Sequence, residues 1–275
     1  MTAGAVIAEA GGMDKEYIFD TGSDLGIGHM DCLQRVLDEP TTRFLEAVGV
    51  RPGQRCLDLG AGGGSISHWL ADRTGPTGQV VAVDIATDQL TDGPGIEVHR
   101  HDVTTGLPVD GPFDLIHARL LLVHLPQREQ VFEMLVDALA PGGWLVLGEF
   151  SGRPLTVVSA PSDEDRALWE RMMHLSHDRL GAARGIDLGW AHSVQGRMDA
   201  AGLMNVHGME YSQTTTGGGV GCLLHRNLNQ QAEPLLLQFG ATPAELARYR
   251  ELLLDPGFRA WFYQLVFSAG QRPLG

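Results

Sequence analysis

The sequence predicts an α/β protein built on a doubly wound, mostly parallel sheet. Between residues 55 and 150, short apolar runs alternate with amphipathic segments, as in repeated strand–helix units. The first run, residues 56–59, leads directly into a glycine-rich segment and then into a helical pattern. Several runs are rich in Val, Ile and Leu, which is typical of parallel strands buried on both faces.

Each element follows from its pattern. Strands are expected over residues 56–59, 79–84, 96–101, 113–118 and 144–148, with a late strand over 261–268. The third alternates polar and apolar residues, so we expect it to be more exposed than the others. Helical patterns cover residues 31–48, 65–73, 126–139, 162–180 and 242–254. Because β-α units connect through right-handed crossovers, helices should cover both faces of the sheet.

Two of these helices have clear start signals. Ser162 precedes Asp165 by three positions, and Thr242 precedes Glu245 in the same way, which is the pattern of a capping box. The helix over 162–180 is apolar on two faces. We therefore interpret it as a lid that contacts two parts of the molecule.

Charge and cysteine content disfavour several classes of function. The net charge of −14 repels phosphate backbones, so we expect no nucleic-acid partner. Cys32, Cys56 and Cys222 form no CxxC pair and no zinc spacing, which predicts buried thiols in a reducing compartment. No signal peptide is recognisable and the apolar runs are too short to span a bilayer. We therefore expect a cytoplasmic protein without a membrane partner.

The glycine-rich segment after the first strand is the most informative part of the chain. The glycines at positions 60, 62, 63 and 64 let the backbone approach a ligand closely, and the helix that follows offers free amide groups. Asp84 ends the next strand, where a carboxylate can accept both hydroxyls of a ribose. These residues predict a nucleotide-type site.

Such a segment also occurs in dinucleotide sites, and two residues weigh against that interpretation. Ser65 takes the last position of the G-x-G-x-x-G pattern, where Gly or Ala is expected. Asp58 would repel a pyrophosphate but attract the positive end of S-adenosylmethionine (SAM). Two more motifs follow in order: His101-Asp102-Val103 after the third strand, and Leu-Ala-Pro-Gly-Gly over 139–143 before the fifth.

With these motifs the sequence resembles the class I SAM-dependent methyltransferases, most closely the type 11/12 and ubiquinone/menaquinone-biosynthesis groups. The resemblance is strong over residues 51–150 and loose elsewhere. It implies a Rossmann-like, mostly parallel seven-stranded sheet with an α-helical lid. It also implies transfer of a methyl group from SAM to an O, N or C atom of a small molecule, such as a secondary metabolite or quinone-like compound. The product would be S-adenosylhomocysteine.

We predict a single domain over residues 1–275. Its parts are an N-terminal helical lid (1–48), a SAM-binding core (49–150), a helical lid insertion (151–200), and C-terminal strands and a helix (201–275). The cofactor-binding residues that the resemblance implies are Asp58, Gly60, Ala61, Gly62, Asp84, Ile85, Asp102, Val103, Ala118 and Arg119. Among them Asp84 would hold the ribose, and the Ala118 and Arg119 backbone would face the sulfonium. Asp102 would accept the adenine amino group, with a loop-capping role as the alternative.

Methyl transfer from a sulfonium is an in-line displacement, so an enzyme mainly orients the reactants and excludes water. His124, just past the fourth strand, is the candidate general base, with a structural helix-start histidine as the alternative. Tyr17 resembles the N-terminal tyrosine that closes over SAM in related enzymes, and His29 is a third candidate without a motif. His174 and His177 lie three positions apart, but no further zinc ligands accompany them, so we predict no metal.

Two alternatives remain at this point. A SAM-binding cyclase or regulatory protein would keep the fold and the cofactor site without transferring the methyl group. A nicotinamide-dependent oxidoreductase would use the glycine segment for a dinucleotide. The sequence does not determine the oligomeric state, and a homodimer is one option.

Overall fold

The residues that the computed structural model describes, 24–275, contain ten strands: β1 Arg55–Leu59, β2 Gln79–Asp84, β3 Ile96–Arg100, β4 Phe113–Arg119, β5 Leu139–Phe150, β6 Val157–Ser159, β7 Met204–Tyr211, β8 Thr214–Thr216, β9 Arg259–Trp261 and β10 Leu265–Gln271. Seven of them form one sheet in the order β3-β2-β1-β4-β5-β10-β7. β1 to β5 run parallel, and β10 lies antiparallel between β5 and β7. The predicted mostly parallel seven-stranded sheet is confirmed.

The same residues form eight α-helices: α1 Asp24–Val48, α2 Ser65–Thr74, α3 Arg128–Asp137, α4 Asp163–Met173, α5 Trp190–Ala200, α6 Val220–Gln231, α7 Glu233–Gln238 and α8 Pro243–Leu252. Neighbouring residues of β1 point to opposite faces of the sheet. Cys56 packs in a core with α1 and α2, whereas Leu57 packs in a second core with α3 and α5. Helices therefore cover both faces, as the repeated β-α units predict.

The start of the fifth strand differs from the prediction. The helical pattern predicted a helix through Leu139. In the structure α3 ends at Asp137, and β5 begins at Leu139. Gly142 and Gly143 exchange backbone hydrogen bonds with Arg272, at 3.0 and 2.8 Å. This pairing joins the glycine segment to Arg272, a long-range contact that the local pattern does not show.

The predicted late strand over 261–268 is two strands in different sheets. β9 belongs to a small sheet with the order β6-β9-β8, and β10 belongs to the central sheet. All residues from 262 to 270 are buried, so the pattern of apolar residues does not mark the break between the two strands.

Residues 201–275 contain three helices and not the single helix predicted. α6 and α7 follow Gly219 and Ala232, which provide no side-chain cap. Only Glu233 and Pro234 in the first turn of α7 offer a start signal, and the sequence analysis missed it. α8 has its predicted capping box at Thr242, and Ser162 caps α4 as predicted. We call β6, β8, β9, α4, α6, α7 and α8 the cap, because they enclose a third buried core beside the sheet.

Two helices differ in extent from their patterns. α1 begins at Asp24 and continues through Pro40. α4 ends at Met173 and continues as a π-helix, His174–Gly181, a geometry that is frequent at functional sites. The three cysteines are buried free thiols, as predicted. Over the described range, no helix is both long and apolar enough to cross a membrane.

Candidate active site

The carboxyl ends of the parallel strands bring the glycine segment, Asp84 and the His101-Asp102-Val103 motif together at one edge of the sheet. The Leu-Ala-Pro-Gly-Gly segment over 139–143 lies at the start of β5 instead. Gly60, after β1, donates from its backbone N–H to the Val83 carbonyl of β2 at 2.9 Å. The His101 N–H, after β3, donates to the Asp84 carbonyl at 2.9 Å. Since ligands of open α/β sheets bind at this edge, it is the candidate cofactor site.

The glycine segment and Asp84 form one local arrangement. Gly60, Gly62 and Gly64 have positive φ angles of 66°, 55° and 78°, a left-handed backbone that favours glycine. The Asp84 carboxylate accepts the Gly62 N–H at 2.9 Å and the Ala86 N–H at 3.0 Å. Burial raises the pKa of Asp84, which the backbone donors partly offset. The structure thus places Asp84 beside the glycine segment.

Asp58 lies next to this arrangement but is buried within the fold. One of its oxygens accepts the Ser67 hydroxyl at 2.5 Å, and the other is 2.8 Å from Nδ1 of the buried His117. Both oxygens are therefore engaged by side chains of the protein. An attraction between Asp58 and a sulfonium would act through space, and it stays a prediction.

The remaining predicted cofactor residues lie along the same edge. Asp102 caps the 3₁₀ turn Val103–Thr105, accepting the Thr104 N–H at 2.9 Å, which is the loop-capping arrangement named as its alternative. Ile85 is half-exposed and Ala118 is buried. The Arg119 side chain reaches Thr41 and Asp38 of α1, at 2.9 Å each, so it ties α1 to the end of β4. Their contacts with adenine and sulfonium stay predictions.

A cavity of about 180 Å³ lies between this edge and the cap. Its walls come from α1, the 3₁₀ turn Leu122–His124 after β4, the end of β5, the π-helix and α6. Leu120, which lines it, has a φ of 53°, an unusual conformation for a leucine and one that clusters at functional sites. Tyr17 lies outside the described residues.

Two histidines line the cavity beside the end of β4. Burial lowers the pKa of His124 to about 4, and the pKa of His29 is lowered to about 4 by burial and by His124. Both imidazoles are therefore neutral at pH 7, which is the form that a general base requires. The structure brings together two sequence candidates: His124, which was predicted from its position after β4, and His29, which no motif supported.

Glu149 in β5 positions the turn that carries His124, and the sequence analysis missed it. Its carboxyl oxygen accepts the Leu122 N–H at 2.9 Å and the Val123 N–H at 3.3 Å. Complete burial raises the pKa of Glu149 to about 8, more than these hydrogen bonds lower it. An acidic residue in an otherwise apolar strand was the available signal, since Glu is rarely fully buried without a partner.

His174 and His177 point to different partners. His174 Nδ1 is 2.7 Å from the Asp178 carboxylate at the surface, whereas His177 Nε2 is 2.6 Å from the Tyr263 hydroxyl in the cavity wall. Within residues 24–275, no group of three or more His, Cys, Asp or Glu side chains is arranged to hold a metal ion. The two histidines therefore share no common ligand position.

Comparison with protein families assigns the chain. A family model described as a methyltransferase domain matches residues 31–208, well over half of the sequence. The chain belongs to this family, the class I SAM-dependent methyltransferases. The membership agrees with the glycine segment, Asp84 and the His101-Asp102-Val103 motif at the sheet edge, and it does not support the nicotinamide alternative.

Relatives of known name cover the core of the chain. The ubiquinone/menaquinone biosynthesis C-methyltransferase UbiE of Ectopseudomonas mendocina is 33% identical over 138 residues, 46% of this chain and 54% of that protein. The trans-aconitate 2-methyltransferase of Variovorax paradoxus is 35% identical over 112 residues, 39% of this chain and 43% of that protein. The matches thus span about half of these relatives or less.

A solved structure extends the similarity beyond the core at the level of the fold. The phosphoethanolamine N-methyltransferase 2 of Haemonchus contortus, in complex with phosphomonomethylethanolamine and S-adenosylhomocysteine, superposes with a TM-score of 0.55 at 16% identity. The superposition covers 92% of this chain and 58% of that chain. At this identity the likeness shows the fold alone.

Proposed function

We propose that this protein transfers a methyl group from SAM to an O, N or C atom of a small-molecule acceptor, a secondary metabolite or quinone-like compound, and releases S-adenosylhomocysteine. The observation that supports this proposal is that the glycine–Asp84 arrangement adjoins a mostly apolar cavity lined by neutral histidines. The Leu121 side chain lies 3.4 Å from the point where a Cβ on Gly60 would stand, so it is close to the glycine segment. Val123 and His124, which follow it, line the cavity.

α1 is the shared wall between the two parts of this site. Met30 and Gln34 lie over Gly62 and Gly63, where an added Cβ would collide with them. On the same helix, His29 and Leu33 line the cavity. Donor and acceptor would then meet at the end of β4, between α1 and the turn that holds His124.

The residues of the cofactor edge fit SAM. A methionine moiety would bind along Gly60, Ala61 and Gly62 once the flexible Met30 side chain over Gly62 moves aside, and the Asp84 carboxylate would accept ribose hydroxyls. When bound, SAM supplies an electrophilic methyl group for in-line transfer. Tyr17 would close over it.

The protein's own contribution to the transfer is to orient the acceptor, exclude water and hold a proton acceptor. The cavity walls are mostly apolar, which keeps water from the reacting atoms. For a hydroxyl acceptor, the neutral His124 would take the proton as the methyl group is transferred. We also infer from the sequence that the protein acts in the cytoplasm.

Calorimetry with SAM and with S-adenosylhomocysteine tests the proposal. We expect one binding site per chain for each, because the motifs form a single nucleotide pocket. Binding of neither to folded protein would contradict the proposal. Incubation with SAM and extracts of the producing cell should yield S-adenosylhomocysteine; SAM binding without any such product would favour the non-methylating cyclase or regulatory alternative.

A further inference from the structure

Buried polar atoms without partners mark the cap side of the cavity. Among residues 24–275, neither the Tyr249 hydroxyl nor His225 Nε2 has a hydrogen-bond partner. Both side chains line the cavity, and their exposed fractions are only 1% and 3%. Buried polar groups in folded proteins are nearly always hydrogen-bonded, so unpaired ones in a cavity wall point to a ligand.

Aromatic rings pack against both groups. Trp169 contacts both, with its ring centroid 5.0 Å from that of His225 and 5.8 Å from that of Tyr249. His225 also stacks on Tyr263, whose hydroxyl is already engaged by His177. Such packing restricts both side chains, so a ligand group must reach them rather than the reverse.

The cavity wall carries no formal charge in its described part. Asp, Glu, Lys and Arg are absent from the side chains of residues 24–275 that line it. Burial lowers the pKa of His177 to about 4 and that of His225 to about 3, and it raises the pKa of Tyr249 and Tyr263. At pH 7 these groups are all neutral, and a charged ligand would lose its hydration without gaining a counter-charge.

We propose that the acceptor is an uncharged, mostly apolar molecule whose hydroxyl or carbonyl oxygen binds to Tyr249 and His225. This inference rests on the proposed function, because it names the acceptor class of the same cavity. The phenol of Tyr249 and the neutral imidazole of His225 can together donate to or accept from such an oxygen. The uncharged walls that residues 24–275 provide disfavour a carboxylate, phosphate or ammonium compound.

Four one-ring probes test the class of ligand directly. An apolar cavity of about 150 Å³ can hold benzene, so this one has room for a single ring. The probes are 4-methylphenol, toluene, 4-methylbenzoate and 4-methylbenzylammonium, titrated at pH 7 by ligand-observed NMR into protein saturated with S-adenosylhomocysteine. We expect 4-methylphenol to bind at least about tenfold tighter than either ion, and equal or stronger binding of an ion would overturn the inference.

The variant Tyr249→Phe tests the residue assignment. It removes only a hydroxyl that has no partner in the described protein, so the fold should keep or gain stability. We expect the affinity for 4-methylphenol to fall by about tenfold and that for toluene to stay unchanged. Tyr211→Phe, a tyrosine outside the cavity that bonds Gln213, is the matched control and should change neither affinity.

The outcomes separate this inference from the proposed function. If S-adenosylhomocysteine binds but 4-methylphenol does not, the acceptor class is wrong and the methyltransferase proposal stands. If S-adenosylhomocysteine does not bind, the proposed function fails, and the same titrations without it still report which probe the cavity accepts. An equal loss of affinity for toluene and 4-methylphenol in Tyr249→Phe would refute the hydroxyl contact.

Discussion

The buried carboxyl of Glu149 should make the stability of the protein fall as the pH rises, and Glu149→Gln should remove that dependence. The variant keeps the side-chain oxygen that accepts the Leu122 and Val123 amides. It replaces an ionisable group by one that is neutral at every pH. The change therefore isolates the charge of this side chain from its role in holding the turn.

The magnitude follows from the two pKa values of Glu149. Burial raises its pKa from 4.5 to about 8 in the folded protein. Between these values the native state holds a proton that the unfolded chain has released, so the free energy of unfolding decreases with pH. At about 1.4 kcal/mol per pH unit, flattening near the upper pKa, this carboxyl alone lowers the stability by about 2 kcal/mol from pH 6 to pH 8.

Urea unfolding followed by circular dichroism at pH 6 and pH 8 measures this effect. The difference in unfolding free energy between Glu149→Gln and the parent protein should move by about 2 kcal/mol in favour of the variant over that interval. Other titrating groups cancel in the difference. Glu133→Gln, an exposed glutamate on α3, is the control and should follow the parent protein. A Glu149→Gln variant with the parent's pH dependence would refute the assignment of a protonated carboxyl at this position.

Four further predictions concern the site. Asp84→Ala should weaken SAM binding, measured by calorimetry, by about tenfold because it removes the ribose acceptor. Asp88→Ala, at an exposed position on the same loop, is the control and should leave SAM affinity unchanged. If Asp84→Ala binds SAM as tightly as the parent protein, Asp84 is not part of the site. For a hydroxyl acceptor, His124→Asn should lower turnover by about 10²–10⁴-fold with SAM affinity nearly unchanged, and full activity would make the histidine structural. Burial lowers the pKa of each cavity histidine below 6.5, so between pH 6.5 and about 4 the unfolded chain binds more protons than the folded protein. The free energy of unfolding should therefore decrease as the pH is lowered from 6.5 to about 4. Urea titrations that show no decrease would contradict the burial of these histidines as neutral groups. Hydrogen exchange of α4 and the π-helix should slow when SAM and acceptor bind, if this segment is a lid, and unchanged exchange would exclude that role.

The sequence predicted those features of the fold that depend on residue spacing within an element and on the order of the strands. The alternation of buried runs and helical patterns was sufficient for the parallel part of the sheet, and the topology then places the ends of β1 to β4 at one edge. Asp84 beside Gly62 follows from that geometry, because parallel neighbours end together. The N-cap at Ser162 and the capping box at Thr242 were equally local and equally recognisable in the sequence.

Contacts between distant parts of the chain decided the rest. The break between β9 and β10, and the uncapped helices α6 and α7, depend on burial against other elements, which no periodicity reports. His29, Glu149 and Tyr249 come from three separate segments of the chain. Only packing brings His29 and Tyr249 into the wall of one cavity and Glu149 against the turn that carries His124. Their neutral or protonated states arise because burial penalises charge, a property of the folded interior. Local patterns along the chain were therefore enough for the family and for the candidate cofactor edge. The cavity and its neutral histidines come from packing alone, because desolvation requires that the cap cover the sheet.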